Sequence, residues 1–88
     1  MNPDRLKLCE KVDYLTEQIH QANLMFRQTD PDADKYYSLC FEVYKNTLGV
    51  IEEIMNDEEM MRDTEAKSTL ESLSHIKDIF LQKLEKLQ

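Results

Sequence analysis

The sequence predicts an all-α protein, folded as an antiparallel three-helix bundle with long helices. One Gly and two Pro among 88 residues leave few positions suited to tight β-turns, whereas Glu, Lys, Leu and Gln, which favour helices, recur throughout. Apolar residues also return every three or four positions in three long segments joined by short polar stretches. Such segments bury their apolar stripes by folding back on one another, so we expect one domain over residues 1–88.

The first helix is expected over residues 3–28. Asn2 and Pro3 suit a helix start, because Asn accepts hydrogen bonds from free amides and Pro lacks an N–H that the first turn would leave unbonded. The inward stripe is Leu8, Val12, Leu15, Ile19, Ala22 and Phe26. The outward side is polar and includes Glu10, Lys11, Glu17, Gln18 and Gln21.

The second helix is expected over residues 31–56, with Asp30 as its cap and Pro31 as its first residue. It carries two adjacent apolar rows. The first row is Tyr37, Phe41, Tyr44, Leu48, Ile51 and Met55. The second row is Tyr36, Cys40, Val43, Thr47, Val50 and Ile54. Because this apolar arc is wide, the helix is expected to pack against two neighbours.

The third helix is expected over residues 64–87, after a polar stretch in which Asn56 begins either a capping box or a loop. Its inner stripe is Leu70, Leu73, Ile76, Phe80, Leu84 and Leu87. Met60 and Met61 lie off this stripe and are expected to cover the end of the bundle.

The sequence offers little support for an enzyme. A chain of this length buries only about 60 to 65% of its unfolded surface, which leaves little room for an active-site cavity. His20 and His75 lack partners at metal-ligand spacing, and Cys9 and Cys40 lack an adjacent base and resemble small core residues. We therefore predict no catalytic residue, no metal and no cofactor.

Charge and apolar patterning bear on location and partners. No signal-peptide pattern or membrane-length apolar run is present in the sequence, and two cysteines do not form a disulfide framework. These features predict a cytoplasmic protein. Its net charge of -7 repels phosphates, so nucleic acid and membrane are not expected as partners. A basic protein surface is the expected partner.

The acidity is concentrated in the second helix and the stretch after it. Residues 1–29 carry no net charge, residues 30–65 carry -8 and residues 66–88 carry +1. This pattern is typical of either a solvated face or a partner surface. Glu42 and Glu52 lie about 15 Å apart along the helix, a span that suits a protein interface. Gly49 costs about 1 kcal/mol relative to Ala in a helix, so we expect a neighbouring segment or a partner to approach its backbone.

Four features follow one another in an order known from a protein family. They are the segment from Glu10 to Leu15, the Asp-Lys-Tyr-Tyr run at 34–37, the acids Glu42 and Glu52, and the ending at 80–86. Together they resemble a BAG domain over nearly the whole chain. BAG domains are three-helix cochaperone modules that bind the nucleotide-binding (ATPase) domain of heat-shock protein 70 (Hsp70) chaperones and promote ADP release.

The resemblance also implies a set of contact residues on the second and third helices. Glu42 and Glu52 match two acids of the family, and Lys67 takes the place of a base that is more often Arg. A family Gln falls on Ser74 or His75, and neither is Gln. The full expected partner surface is Glu42, Lys45, Asn46, Gly49, Glu52, Glu53, Lys67, Ser74 and His75.

Two other interpretations remain open. The segment from Tyr37 to Tyr44 resembles the microtubule-interacting-and-trafficking module, a three-helix adaptor that binds helical peptide motifs. The wide apolar arc of the second helix is also compatible with a homodimer. A monomer should cover Tyr36, Val43 and Val50, whereas a dimer would share them between subunits.

Overall fold

The computed structural model describes residues 3–87, with side chains from residue 5 onward. Four helices form: α1 (Pro3–Phe26), α2 (Ala33–Met55), α3 (Glu58–Arg62) and α4 (Thr64–Leu87). All regular secondary structure in this range is helical, which confirms the all-α class. The molecule measures 45 × 22 × 16 Å.

The helix ends differ from the sequence prediction at several points. α1 begins at Pro3 as expected but ends at Phe26, two residues early, and Asn2 lies outside the described residues. α2 covers Ala33–Met55 rather than 31–56. α4 begins at Thr64 and extends through Leu87, as predicted.

The cap of α2 is Asp32, so the prediction that Asp30 caps the helix and Pro31 begins it is wrong. The Asp32 carboxylate accepts hydrogen bonds from the backbone amides of Asp34 and Lys35 at 3.1 and 3.2 Å. The Asp32 backbone is extended, as is usual for a residue in this position. Pro31 therefore precedes the helix instead of starting it.

The polar stretch after α2 contains a helix that the sequence prediction lacked. Asp57 caps α3 by accepting from the amides of Glu59 and Met60, so the cap is Asp57 rather than Asn56. Met60 and Met61 lie on α3 and pack against the core, which confirms their predicted role.

The core combines residues of the three long helices. Its buried apolar members are Leu8, Leu15, Ala22, Tyr36, Cys40, Val43, Val50, Ile54, Leu73, Phe80 and Leu84. Tyr36, Val43 and Val50 are covered within a single chain, so they do not require a second subunit. The second predicted row of α2 is fully buried, including Thr47, whose hydroxyl donates to the Val43 carbonyl at 2.6 Å.

Four residues outside the first row of α2 depart from their predicted environments. Phe26 is 69% exposed because α1 ends there, and Leu87 is exposed at the end of α4. Cys9 is exposed rather than part of the core. Gln18, predicted to face outward, is only 6% exposed, because its side chain lies against α2 and pairs with Asn46.

α2 packs against both α1 and α4, as its wide apolar arc predicted. Along the α1 boundary, Lys11 forms an ion pair with Glu53, Gln18 bonds Asn46, and the Phe26 ring lies 6.4 Å from that of Tyr36. As residue numbers rise along α1, those of the contacting residues in α2 fall, so these two helices run antiparallel. Within residues 3–87, no Cα atom of α1 comes within 8 Å of one in α4.

Candidate functional site

The acids of the expected partner surface lie on the solvent side of α2. Glu42 and Glu52 are both exposed, ten residues apart on a continuous helix. That spacing corresponds to about 15 Å along the axis and about 80° around it. The two carboxylates therefore mark opposite borders of a polar strip, which also carries Lys45 and Gly49.

One edge of this strip is tied to α1. The Asn46 side-chain amide donates to the Gln18 oxygen at 2.9 Å, and Glu53 pairs with Lys11. Asn46 is half-buried as a result. These two side chains have partners within the chain, so they are less free to meet another protein than Glu42 and Glu52 are.

Gly49 lies beside a shallow surface depression between α1 and α2. The depression has a cavity volume of about 350 Å³, and its lining includes Tyr14, Lys45 and Val50. A Cβ atom built on Gly49 would meet nothing within 4 Å. Among the described residues, the expected neighbouring segment is therefore not in contact with Gly49.

The opposite edge of the strip is apolar and partly exposed. Phe41, Leu48 and Met55 belong to the first predicted row of α2 and are 45%, 39% and 58% exposed. Tyr37 and Ile51 of the same row are half-buried. The row borders the core at its inner residues and presents the rest to solvent.

The residues expected from the third helix lie on α4. Lys67 and Ser74 are seven residues apart and therefore share one side of the helix. Ser72, by contrast, faces the cavity between α4 and α1. Lys67 and Ser74 consequently occupy the other edge of α4, toward α2. Lys67 and His75 are exposed and Ser74 is half-buried.

These observations define an α2/α4 face. From α2 it contains Phe41, Glu42, Lys45, Leu48, Gly49, Glu52 and Met55. From α4 it contains Lys67, Ser74 and Leu81. His75 lies about 100° further around α4 than Ser74, and Asn46 and Glu53 lie at the α1 boundary. The face thus includes six of the nine expected residues, of which five are exposed and Ser74 is half-buried. It also includes exposed apolar side chains that were not expected there.

Between residues 3 and 87, no group of three or more His, Cys, Asp or Glu side chains is placed to hold a metal ion. In the same range, no helix combines the length and apolarity that crossing a membrane requires. The α2/α4 face offers a binding surface, with two carboxylates about 15 Å apart along the axis of α2 and an exposed apolar row beside Glu52.

Comparison with models of known protein families gave no match, and neither curated proteins nor solved structures gave a significant match. The resemblance to a BAG domain therefore stays a prediction from the residues quoted above.

Sequence reasoning missed the apolar part of this face. It assigned Phe41, Leu48 and Met55 to the core because they share a helical row with Tyr44 and Ile51. The signal was the width of the arc, because the outer of two full apolar rows lies at the edge of the surface that the neighbouring helices cover.

Proposed function

We propose that this chain is an antiparallel three-helix bundle of the BAG type, in which α3 belongs to the connection between the second and third long helices. Its function is that of a cytoplasmic cochaperone module. It binds the nucleotide-binding domain of an Hsp70-family chaperone and promotes ADP release. It makes and breaks no covalent bond itself.

The observation that carries the proposal is the composition of the α2/α4 face. Glu42 and Glu52 border a polar strip whose outer edge is apolar, with Met55 58% and Phe41 45% exposed. Exposed apolar groups of this size beside unburied acids are typical of a protein interface, because water solvates them poorly. A basic partner surface with an apolar centre would complement both features.

The mechanism is a shift in the population of chaperone conformations. A nucleotide-binding domain alternates between open and closed arrangements of its lobes. If the α2/α4 face binds the open arrangement more tightly, it weakens ADP binding by the same coupling factor. A pre-formed helical surface suits this role, because little binding free energy is lost in ordering the module.

The test of this interface is binding measured by calorimetry between the chain and an Hsp70 nucleotide-binding domain. We expect Glu42→Ala and Glu52→Ala each to weaken binding about tenfold, which corresponds to about 1.4 kcal/mol. Glu17→Ala removes an exposed acid from α1 and serves as the matched control with unchanged affinity. Equal affinities for all three variants would remove the proposed interface.

A further inference from the structure

A groove runs between α1 and α4 on the side of the molecule away from the α2/α4 face. Two cavities of about 400 and 260 Å³ lie along it. Val12 and Thr69 line both cavities, so the two are adjacent. No described Cα atoms of α1 and α4 lie within 8 Å of each other, so the backbones that flank the groove stand well apart.

The walls of this α1/α4 groove differ in side-chain size. The α1 wall carries Val12 and Ile19, which are half-buried and so remain partly open to solvent. The α4 wall carries the small residues Thr69 and Ser72 together with Leu73 and Ile76. Small residues allow another backbone to approach closely, and apolar residues opposite them supply area to bury. From Arg5 to Ile19 the groove is about 21 Å long, or about four helical turns.

The charge along the groove is uneven. Asp13, Asp63 and Glu65 line its first cavity, near the N-termini of both α1 and α4. Arg5 also lines that cavity, but its guanidinium lies 3.5 Å from the Glu59 carboxylate. In the described part of the chain, none of the three acids forms an ion pair. The middle of the groove is neutral, with Thr16, Ser68 and Ser72 at its edges.

We propose that the α1/α4 groove binds an amphipathic helix of a partner protein that carries basic residues at its C-terminal end. Its apolar side chains pack on Val12 and Ile19, and its Lys or Arg residues meet Asp13, Asp63 and Glu65. Basic residues in the last turn of a helix also complement that helix's own dipole. The bound helix therefore runs opposite to α1 and α4.

A helix of stated charge fits this surface better than a second copy of the chain. The chain carries a net charge of -7, so long-range repulsion opposes the association of two copies. The groove is also separate from the α2/α4 face, and its use does not depend on the proposed Hsp70 interaction.

Cys9 provides a direct reporter of occupancy. It is exposed and lines the first cavity, whereas Cys40, the other cysteine, is buried. The probe is a capped helical peptide of about 16 residues with Leu at positions i, i+4, i+7 and i+11 and three Lys in its last turn. The measurement is the rate of Cys9 alkylation by iodoacetamide with and without saturating peptide.

We expect the peptide to slow Cys9 alkylation at least about tenfold. The same peptide with Glu in place of Lys should bind at least about tenfold more weakly. Ser72→Trp should abolish protection, because the indole fills the groove. Ser38→Trp, at an exposed serine of α2, should retain protection, and circular dichroism verifies that both variants fold. The paired change Asp13→Lys and Glu65→Lys should reverse the preference between the two peptides.

Three results would overturn the proposal. One is the absence of protection in the folded wild-type chain. Another is equal protection by the Lys and Glu peptides, which would leave only nonspecific apolar contact. The third is protection that rises with protein concentration when no peptide is present, which would make a second copy the occupant.

Discussion

Gln18 shows how one polar residue can lie in the core of a small helical protein. Its amide oxygen accepts a hydrogen bond from Asn46, so the buried polar group is paired. Helical spacing predicted an outward position for Gln18, because its type is polar and it adjoins the polar side of α1. Its environment depends on where α2 lies, and the periodicity of α1 does not specify that position.

The pair can be measured by a double-mutant cycle on Gln18→Ala and Asn46→Ala. We expect a coupling free energy of about 1 kcal/mol, the net value of a typical intramolecular hydrogen bond. Gln18→Ala should be the more costly single change, because Gln18 is buried and Asn46 is only half-buried. Urea unfolding of the four proteins gives the coupling, and additivity within about 0.3 kcal/mol would contradict it.

Tyr36 makes the stability of the fold sensitive to alkaline pH. Burial raises the pKa of its phenol from 10.0 to about 12, and the neighbouring Cys40 adds to the rise. Burial also raises the pKa of the Cys40 thiol above 9.0. The folded state therefore holds these protons more tightly than the unfolded state does. The resulting stability is fully present below the unfolded pKa values and is lost as pH rises through the folded ones.

We expect the free energy of unfolding to fall as pH rises above about 9, and to fall more steeply between pH 10 and about 12. Tyr36→Phe should flatten the upper part of this profile and leave the contribution of Cys40. Urea unfolding from pH 8 to 11.5 measures both slopes. The same decline in the variant and in the wild type would show that Tyr36 is not its source.

At the scale of elements, the existence of the three long helices could be predicted from sequence, but their ends could not. Two aspartates lie two residues apart around Pro31, and both satisfy the local rules for a helix cap. Only the folded backbone distinguishes them, since the Asp32 carboxylate accepts from two amides at the start of α2. α3 was hidden for a similar reason, because five residues carry too short a pattern for periodicity to detect.

The cap assignment predicts unequal costs for two similar substitutions. Asp32→Ala should destabilise the protein by about 1 kcal/mol, because two amides of α2 lose their acceptor. Asp30→Ala should change the free energy of unfolding by less than about 0.5 kcal/mol, as an exposed loop substitution does. Thermal or urea unfolding of both variants decides the matter, and a larger effect at Asp30 would contradict the assignment.

Gly49 separates stability from binding on the second helix. It lies within α2 with nothing within 4 Å of an added Cβ, and no described glycine has a positive φ. Gly49→Ala should therefore stabilise the fold by about 0.5 to 1 kcal/mol by restricting the unfolded chain. If a partner backbone approaches Gly49, the same variant should also bind the Hsp70 nucleotide-binding domain more weakly.

Urea unfolding and calorimetry on Gly49→Ala give the two quantities separately. Val50→Ala provides the contrast, because it truncates a buried side chain and should lower stability by about 1 to 3 kcal/mol. A Gly49→Ala variant less stable than the wild type would show that the helix needs glycine for its own packing.

At the scale of the whole molecule, α2 is the central helix and α1 and α4 flank it, with no Cα atoms of these two helices within 8 Å of each other in the described range. The apolar arc of α2 predicted two neighbours but not the gap between them. The gap depends on how the three long helices pack, which the periodicity within a single helix does not specify. It leaves two candidate surfaces, the α2/α4 face and the α1/α4 groove, on different sides.

One contact bridges α1 and α4 at the end opposite α3. The Lys83 ammonium lies 4.7 Å from the centre of the Phe80 ring and 5.7 Å from that of Phe26. Each such cation–π contact contributes about 0.5 to 1 kcal/mol at an exposed site. It also explains how Phe26 can contribute to the fold while most of its surface remains in water.

The central claim is that the α2/α4 face opens an Hsp70 nucleotide-binding domain. It is tested most directly by the release rate of a fluorescent ADP analogue from that domain, measured with and without this chain at low and moderate salt. We predict faster release with the wild-type chain, a smaller effect as salt screens Glu42 and Glu52, and little effect with both acids changed to Ala. Unchanged release at saturating protein, or full acceleration by the double variant, would contradict the account.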